Sequence, residues 1–482
     1  MKEKIKKITV DSSGTIRTVL QAIDRGAIGV ALLAEPGSGK FVGLVTDGDV
    51  RRALLKGLGL ESSADRIEHP ETITATVDMN LNEISAMFSE PIRVVPVLNN
   101  ERIVVDLALF GTRGYFPVAA PKFGDAELRY VSECVLTGWV SSVGKFVRRF
   151  ESQFSEFCGT KFAITTSSGT AALHLSLVAL GIGPGDEVIV PSLTFISTAN
   201  AVVFTGATPV FLDSEFETWN MDTTTIEAAV SNKTKAIIPV HLYGHPANMD
   251  PVLIMAKKHN LAVIEDAAEA HGALYRGEMV GSLGDLGVFS FYGNKTITTG
   301  EGGMIVTDNE DLAEKLRILR DHGMDPERRY WHTVLGYNYR MTNIQAALGV
   351  GQMERIDQII EQKRRNAAFY NKGLQDIQGI TTPPELAWAK NIYWLYSILV
   401  NKDEFGISSQ ELGLELKRKG IDTRPLFLPV HQQPIYNTGQ RLPVCEQLSL
   451  CGLSLPSFAD LNRDEIRRVV KEVTNIQEHA RC

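Results

Sequence analysis

One lysine of the chain lies where an apolar stretch gives way to a loop rich in glycine and threonine. Phe289 and Ser290 end the apolar stretch, and the loop carries Lys295 and runs on to Gly303. An amine on a flexible stem among small residues leaves room for a flat cofactor. Desolvation lowers the pKa of such an amine, as a Schiff-base lysine requires. Lys295 is therefore a candidate for covalent catalysis, although a surface lysine explains the loop better when it is taken alone.

A carboxylate precedes this lysine by about 30 residues. Asp266 follows the apolar run Val263–Ile264, at the end of a predicted buried strand, where open α/β sheets place their ligands. A buried aspartate needs a partner for its charge, and a protonated ring nitrogen would supply one and make the ring a stronger electron sink. The simpler alternative is an aspartate that caps a helix.

A third segment has the composition of a phosphate-binding turn. Thr166, Ser167 and Ser168 follow a predicted strand, and Gly169 and Thr170 begin a predicted helix. Free backbone N–H groups and hydroxyls at the positive end of a helix bind phosphate, and Ser290 can face the same ligand. An ordinary Ser/Thr helix cap is the commoner explanation of such a turn.

The elements that must position these residues alternate between apolar strands and helices after residue 115. Uniformly apolar strands predict a mostly parallel sheet that is covered on both faces, which is an α/β fold. We predict domains at 1–114, 115–365 and 366–482, the last a small α+β domain with a strand at 393–400 and helices at 408–419 and 464–475. The predicted strands of the large sheet are 163–165, 187–190, 208–212, 236–240, 262–265, 286–290 and 303–306.

The composition excludes several functional classes. The chain has 482 residues, 44% of them hydrophobic, and a net charge of −8, which predicts neither a nucleic-acid nor an anionic-membrane partner. No apolar run reaches the roughly 18 residues of a membrane span. Five cysteines without a C-x-x-C pair favour reduced thiols and a cytoplasmic protein. His241 and His245 lack the glutamate of H-E-x-x-H, so we expect no metal site.

The order of the turn, the aspartate and the lysine resembles that of fold-type-I pyridoxal-phosphate (PLP) enzymes. From about Phe116 onward the chain more narrowly resembles the DegT/DnrJ/EryC1/StrS sugar aminotransferases. It has Thr-Ser-Ser-Gly-Thr-Ala-Ala-Leu-His, Pro-Ser-Leu-Thr-Phe, Glu-Asp-Ala-Ala and Ser-Phe-x-x-x-Lys in the family's order. This resemblance implies a large PLP-binding domain with a mostly parallel sheet and a small C-terminal domain.

The resemblance also implies a role for each matching residue. Lys295 would bind PLP covalently and move protons, Asp266 would pair with the pyridine nitrogen, and Phe195 would stack on the ring. Glu269 stands where family members often have Gln or His near the ring hydroxyl. The phosphate would be held by Gly169, Thr170 and Ser290, and by Asn338 of a neighbouring subunit. A homodimer or larger assembly with shared active sites is therefore implied.

Three further segments resemble GDP-perosamine synthases, namely 138–145, 291–295 and 330–341. That similarity implies transfer of an amino group from glutamate to C4 of GDP-4-keto-6-deoxymannose, for surface polysaccharides such as lipopolysaccharide O-antigen. Each candidate sugar-nucleotide contact could equally be packing or solvated surface. The candidates are Trp139, Lys145, Tyr330, Arg340 and His431.

Three alternatives stay open at this stage. A UDP-linked 4-keto-sugar or a 3-keto-sugar could be the substrate. A related class of enzymes removes C3 hydroxyls with the same fold but carries His in place of the lysine, and Lys295 argues against it. A sugar-nucleotide-sensing regulatory protein without catalysis is the alternative from another class.

The first 114 residues show a strand-helix-strand-strand order twice. They resemble a pair of cystathionine-β-synthase (CBS) modules, mostly through Gly43–Asp49. The resemblance implies an adenine nucleotide held by Thr46 and Asp49, with Asp49 predicted to cap the helix; a docking module with an empty cleft is equally consistent. The Gly-Ser-Gly-Lys run at 37–40 lacks the first glycine and the final Ser or Thr of a P-loop, and we predict a hairpin turn there.

Overall fold

The computed structural model describes residues 2–26, 28–79, 83, 84, 87, 92, 94–109 and 115–481. The chain forms two compact units, Met1–Phe116 and Pro117–Cys482. Within the described residues, no helix is both long enough and apolar enough to cross a lipid bilayer.

The first unit contains two three-stranded sheets with the same pairing pattern. In each sheet the middle strand pairs parallel with one neighbour and antiparallel with the other. The strands are Thr9–Asp11, Val30–Ala34 and Phe41–Thr46 in one sheet, and Ala75–Thr76, Val94–Leu98 and Val104–Leu109 in the other. The helices are Lys2–Ile8, Ile16–Gly26 and Asp47–Leu55, with a 3-10 turn at Ala64–Arg66. Leu81 and Phe88, predicted for a helix of the second repeat, lie outside the described residues.

A small apolar core explains the first repeat. Ile16, Val19 and Ala22 share one face of their helix and pack with Leu33 and Val45 of the sheet, as helical periodicity predicts. The turn at 37–40 joins two antiparallel strands, which confirms the predicted hairpin.

The predicted cap of the third helix was wrong. Thr46, not Asp49, is the N-cap, and Asp49 is the third residue of a capping box in which each side chain accepts the other's backbone N–H. A threonine hydroxyl can accept from the N–H three residues later, and this arrangement satisfies both groups.

A seven-stranded sheet forms the centre of the second unit. Its first two neighbouring pairs, counted from Phe162–Thr166, are antiparallel and the other four are parallel. The expectation of a mostly parallel sheet is confirmed. In spatial order the strands are Phe162–Thr166, Gly303–Thr307, Leu286–Ser290, Ala262–Asp266, Thr234–Ile237, Glu187–Pro191 and Thr208–Leu212.

Helices cover this sheet, and the one at Gly169–Ala179 is buried almost all round. The amphipathic helix at Lys145–Cys158 buries Phe146, Phe150 and Phe154 and ends at Gly159, whose φ of 72° suits a residue without Cβ. The other helices around this core are Asp125–Thr137, Ser197–Phe204, Ile226–Ala229, Met249–His259, Glu310–Arg320, Asn343–Met353 and Ile356–Leu374, with 3-10 turns at Thr223–Thr225 and Leu242–Gly244.

The C-terminal part adds a four-stranded antiparallel sheet. Tyr370, on the long helix Ile356–Leu374, stacks on Tyr396 of this sheet at 4.6 Å, while Ile360 of the same helix packs in the large core. The strands are Ile380–Thr381, Tyr396–Val400, Gly452–Leu455 and Arg424–Pro425, and the helices are Lys402–Phe405, Ser409–Arg418, Pro443–Cys451 and Arg463–Ala480, with a 3-10 turn at Val430–Gln432. A separate small sheet contains Glu278–Met279, Leu274–Tyr275 and Ala389–Lys390.

In the second unit, two strands differ from the prediction at a boundary by more than one residue, and in each the difference at one end has an identifiable reason. The strand predicted at 236–240 ends at Ile237, because Pro239 has no N–H to donate to a neighbour. The strand predicted from Tyr393 begins at Tyr396. Tyr393 has a φ of 50°, which lies outside the extended region.

Candidate active site

A cavity of about 420 Å³ opens at the carboxyl ends of the strands that finish at Thr166, Pro191, Asp266 and Ser290. Its volume lies in the range of small-molecule sites, roughly 300–1,000 Å³. Ligands of α/β sheets bind at this edge because helix N-termini and loops converge there. The lining residues are Ser168, Gly169, Thr170, Leu173, Thr194, Phe195, Ser197, Thr198, Val240, Asp266, Ala268, Glu269, Ser290, Tyr292, Asn294, Lys295, Glu301, Trp394 and Phe427.

The Lys295 amine is held inside this cavity. Its side chain is 10% exposed, and Nζ lies 3.7 Å from Glu269 Oε1. Burial lowers the pKa of Lys295, while the nearby carboxylates of Glu269 and Asp266 act in the opposite direction. A lysine in such surroundings deprotonates more readily than one in water, which is what a nucleophilic amine needs.

Glu269 is the carboxylate next to this amine. Its second oxygen accepts the backbone N–H of Tyr243 at 2.8 Å, and Tyr243 itself has a left-handed φ of 52°. Burial raises the pKa of Glu269 to about 7, against the lowering effect of Lys295.

This buried carboxyl gives a prediction about pH and stability. Its pKa rises from about 4.5 to about 7 on folding. Its contribution to stability is therefore complete below pH 4.5 and is lost as the pH rises through 7, a loss of roughly 3 kcal/mol. The cofactor-free Glu269→Gln variant should lack this loss and be more stable than the wild type above pH 7. Urea unfolding below pH 4.5 and above pH 7 measures the free energy of unfolding of each protein, with the exposed Glu217→Gln as control. The same dependence of this free energy on pH in all three proteins would contradict the prediction.

Asp266 is the last residue of its strand, at the carboxyl end, and it is buried. Oδ2 accepts the Thr198 hydroxyl at 2.7 Å, and Oδ1 accepts the backbone N–H of Ala268 at 3.2 Å. Burial raises the pKa of this carboxyl, and the Thr198 hydrogen bond partly offsets the effect. Because both donors are uncharged, a cation placed in the cavity would be bound strongly by this carboxylate.

The turn before Gly169 presents the start of a helix to the same cavity. The Ser168 hydroxyl accepts the N–H of Ala171 at 3.1 Å, and the Thr170 hydroxyl donates to Ser197 Oγ at 2.8 Å. A helix start with free N–H groups and four hydroxyls nearby, counting that of Ser290, suits a phosphate dianion.

The closeness of Gly169 to Ser290 gives a second prediction. A Cβ on Gly169 would lie 2.9 Å from the Ser290 Cβ, so Gly169→Ala forces the two segments apart. We expect the free energy of unfolding to fall by about 1–3 kcal/mol, together with weaker phosphate binding. Gly183→Ala is the matched control, because its Cβ would meet one atom at 3.7 Å. Equal thermal stability of the two variants would contradict the prediction.

Aromatic side chains close one side of the cavity. Phe195 is 55% exposed and lies 5.8 Å from Phe427, measured between ring centres. Phe427 in turn stacks on Tyr243 at 5.1 Å, and Tyr243 stacks on Trp394 at 6.2 Å. A flat ligand can therefore lie against the free face of Phe195.

Comparison with known proteins identifies the second unit. Residues 121–474 match the sequence model of the DegT/DnrJ/EryC1/StrS aminotransferase family. The chain belongs to this family. It is 48% identical over 364 residues to the GDP-perosamine synthase of Caulobacter vibrioides, covering 74% of this chain and 97% of the relative. It is 46% identical over 360 residues to that of Escherichia coli O157:H7, with coverage of 74% and 98%.

Solved structures of similar proteins have the same fold. DesV of S. venezuelae is 36% identical, with a TM-score of 0.69 over 73% of this chain and 94% of its own. PseC of Helicobacter pylori, an aminotransferase of pseudoaminic acid biosynthesis, is 28% identical, with a TM-score of 0.72 over 76% and 100%. The fold-type-I architecture is thus confirmed, and the protein is a PLP-dependent sugar aminotransferase. A CBS-domain model matches residues 2–56.

The cavity residues of this aminotransferase fit PLP. Asp266 is a buried carboxylate whose hydrogen bonds come from uncharged donors. The cationic ring nitrogen of PLP would supply a positive charge, which these donors do not. The Gly169 position is open only because it lacks a Cβ, and it lies beside hydroxyls that bind phosphate. Lys295 lines the same cavity, within reach of a bound carbonyl group.

Five other predicted site residues do not line this cavity. The backbone of the exposed Asn338 forms an isolated antiparallel β-bridge with Asp321. The side chain of Arg340 forms an ion pair with the same aspartate. Lys145 pairs with Glu133 at 2.5 Å. Trp139 and Tyr330 are exposed.

His431 is also away from the cavity. Its ring is 1% exposed; Nδ1 lies 2.6 Å from Ser192 Oγ, and Nε2 lies 3.3 Å from Glu446. The Val430 N–H donates to the Ser192 carbonyl, so the histidine fastens the segment that carries Phe427 to the strand end before Phe195. In this chain the ring is engaged with protein groups on both nitrogens.

Four residues that contact the predicted site residues were not themselves predicted. Thr198 donates to Asp266, Tyr243 donates to Glu269, and Trp394 lies over Lys295; Phe427 completes the aromatic side. Thr198 alone had a local signal, since it lies only three residues after Phe195, on the helix that follows it. The other three come from distant parts of the chain, and no pattern around them points to Lys295.

In the CBS domain, Thr46 and Asp49 bond to each other. The Thr46 hydroxyl donates to Asp49 Oδ2 at 2.7 Å, and Arg52 forms an ion pair with the other oxygen of Asp49. Arg52 is more than half exposed, so a cation is available beside this helix start.

Proposed function

We propose that this aminotransferase transfers the amino group of glutamate to C4 of GDP-4-keto-6-deoxymannose, which yields GDP-perosamine for surface-polysaccharide synthesis. The 48% identity to the Caulobacter vibrioides enzyme over 97% of its length carries the proposal. A relative of the same name from Vibrio cholerae, 40% identical over 362 residues, supports it further.

In this proposal the cavity residues hold PLP in the way the family resemblance implies. Lys295 binds it covalently, Asp266 pairs with the ring nitrogen, and Phe195 packs against the ring face. Gly169, Thr170 and Ser290 bind the phosphate. Glu269, next to Lys295, faces the hydroxyl side of the ring. Bound PLP supplies a ring that accepts electrons from the carbon that loses its proton.

The chain's own residues supply the proton transfers and the orientation. Lys295, once free, carries a proton between cofactor and substrate carbons, and burial, which lowers its pKa, favours that exchange. Glu269 stays close enough to accept or return a proton when Lys295 changes charge. The Thr198 hydrogen bond keeps the Asp266 carboxylate aimed into the cavity.

We also propose a homodimer or larger assembly in which Asn338 reaches the phosphate of the neighbouring subunit's cofactor. Asn338 is exposed, as are the nearby Tyr330 and Leu335. Trp139 and Val143 are exposed on a loop that the Asn343 side chain ties to the same region. Exposed apolar side chains at this density mark interaction surfaces, and these residues would bind the sugar nucleotide from there, as would Lys145 and Arg340.

Two regulatory and cellular proposals complete the picture. We propose that Thr46 and Asp49 of the CBS domain contact an adenine nucleotide, with Arg52 beside its phosphates. We also propose a cytoplasmic location, because the four cysteines among the described residues are unpaired and reduced thiols suit that compartment.

Amination assays test the substrate proposal. With glutamate as donor, GDP-4-keto-6-deoxymannose should be converted with kcat/KM at least about tenfold above its UDP-linked counterpart, and the product should carry nitrogen at C4. Preference for UDP, or amination at C3, would overturn the proposal. Borohydride reduction followed by peptide mapping should find the cofactor on Lys295. Repeating the assay with ATP or AMP tests the CBS proposal, which an unchanged rate together with no calorimetric binding would contradict.

A further inference from the structure

The indole of Trp394 lies over the amine of Lys295. Nζ of Lys295 is 3.8 Å from the ring centre, and Trp394 is buried. A cation over the face of an indole is attracted by the ring's quadrupole, more strongly where water is excluded. The ring therefore favours the free, protonated form of this amine.

Hydrogen bonding and stacking fix the position of the indole. Its Nε1 donates to the Asn294 carbonyl at 2.8 Å, so the ring is fastened to the backbone next to Lys295 itself. Tyr243 stacks on it with an angle of 17° between the planes. The ring and the lysine loop are therefore held together by contacts on two sides.

A second lysine holds the main chain of Trp394. Lys363, buried on the helix Ile356–Leu374, donates from Nζ to the Trp394 carbonyl at 3.1 Å and to the Ser457 carbonyl at 2.6 Å. Burial lowers the pKa of Lys363 to about 7. A neutral amine still has two N–H donors, so both bonds persist in either protonation state.

We infer that Trp394 is the docking surface for the free amine of Lys295, and that Lys363 is a positioning residue that holds Trp394 in place. The inference rests on the proposed role of Lys295 as the cofactor lysine. Lys295 is released whenever the cofactor carries the amino group between the two halves of the reaction. The Trp394 ring then keeps the amine of Lys295 at the cavity, while Lys363 holds the main chain of Trp394.

Chemical labelling of the full-length, cofactor-free protein tests this inference. The rate of acylation of Lys295 is followed by mass spectrometry at a series of pH values. The midpoint of the curve of rate against pH reports the protonation of the amine, and its plateau at high pH reports how accessible the amine is to the reagent. In Trp394→Leu the midpoint should move to lower pH, so that labelling at neutral pH rises about tenfold. Trp394→Phe should show a smaller shift.

Lys363→Met removes the donors at similar size, and it should move the midpoint in the same direction as Trp394→Leu. The exposed Lys372→Met, on the same helix, should leave it unchanged. Glu269 and Asp266 also act on this amine, and the amine in turn lowers the pKa of His271; all three residues are retained in every variant. A change of midpoint therefore reports the ring.

Two outcomes would overturn the inference. An unchanged midpoint in Trp394→Leu, or in Trp394→Phe if the leucine variant does not fold, would show that the ring does not hold the amine. A Lys363→Met variant that is less stable but has the wild-type midpoint for acylation of Lys295 would show that Lys363 stabilises the fold without positioning the ring. The proposed function fails on a different observation, the absence of cofactor on Lys295 after borohydride reduction of the holoenzyme.

Discussion

Lys295→Ala should lower the rate of sugar amination by about 10,000-fold or more, because the residue supplies both the nucleophile and the proton transfer. The visible absorbance of the bound cofactor should change as well, since no covalent bond to the chain can form. The fold should persist, because the substitution removes a buried amine from a loop. Initial rates, absorbance spectra and thermal unfolding measure the three effects.

Lys372→Ala is the control for this variant. Lys372 is an exposed lysine at the end of a helix, and its removal should leave all three measurements unchanged. Full amination activity in Lys295→Ala would refute the assignment of the catalytic lysine. Loss of activity accompanied by unfolding would instead show that the amine is needed for the structure.

Asp266→Asn should lower kcat/KM by about 100- to 5,000-fold. Removing one partner of a buried ion pair costs about 3–5 kcal/mol, and that range converts to this loss of rate. Asparagine keeps the shape of the side chain and can still accept the Thr198 hydroxyl, so the loss reports the missing charge. Asp376→Asn, at an exposed position, is the control.

The same variant should have the opposite effect on the cofactor-free protein. Because burial raises the pKa of Asp266 on folding, the carboxyl contributes stability only at low pH, and this contribution is lost as the pH rises through the folded-state pKa. Asp266→Asn should therefore be more stable than the wild type at neutral pH when no cofactor is bound. Lower stability of the variant in urea unfolding, together with unchanged activity, would contradict both expectations.

The sequence alone predicted most of the central sheet and the core of the site. All seven predicted strands form one sheet, because short, uniformly apolar runs are stable as strands of a sheet that is covered on both faces. Lys295, Asp266 and Gly169 come together because each follows a strand whose carboxyl end faces the same edge. The order of the strands in the sheet was not predicted; the order of the three motifs along the chain, together with the family resemblance, was enough to predict their proximity.

The residues that tune this site were beyond prediction. Trp394 is 100 positions from the Asn294 carbonyl that it binds. Tyr243, which has an unusual backbone angle, donates its N–H to Glu269. His431, which the sequence analysis assigned to the sugar, is occupied by Ser192 and Glu446. Such contacts depend on how distant segments pack, and residue type or local spacing carries no record of that.

The loop that carries Lys295 leaves the sheet at Ser290 and returns at Gly303, and these two residues pair directly with each other. The antiparallel pairing of their strands therefore offsets the entropic cost of closing the loop, without any stabilising contact from the residues of the loop. Exposed side chains within it, such as those of Tyr292 and Glu301, can change without altering how the sheet assembles, whereas Phe291 and Ile297 belong to the large core. Reaction type and architecture can thus diverge independently, and the exposed positions of the segment from 291 to 302 are a bounded target for directed evolution toward other chemistry on the same sugar nucleotides.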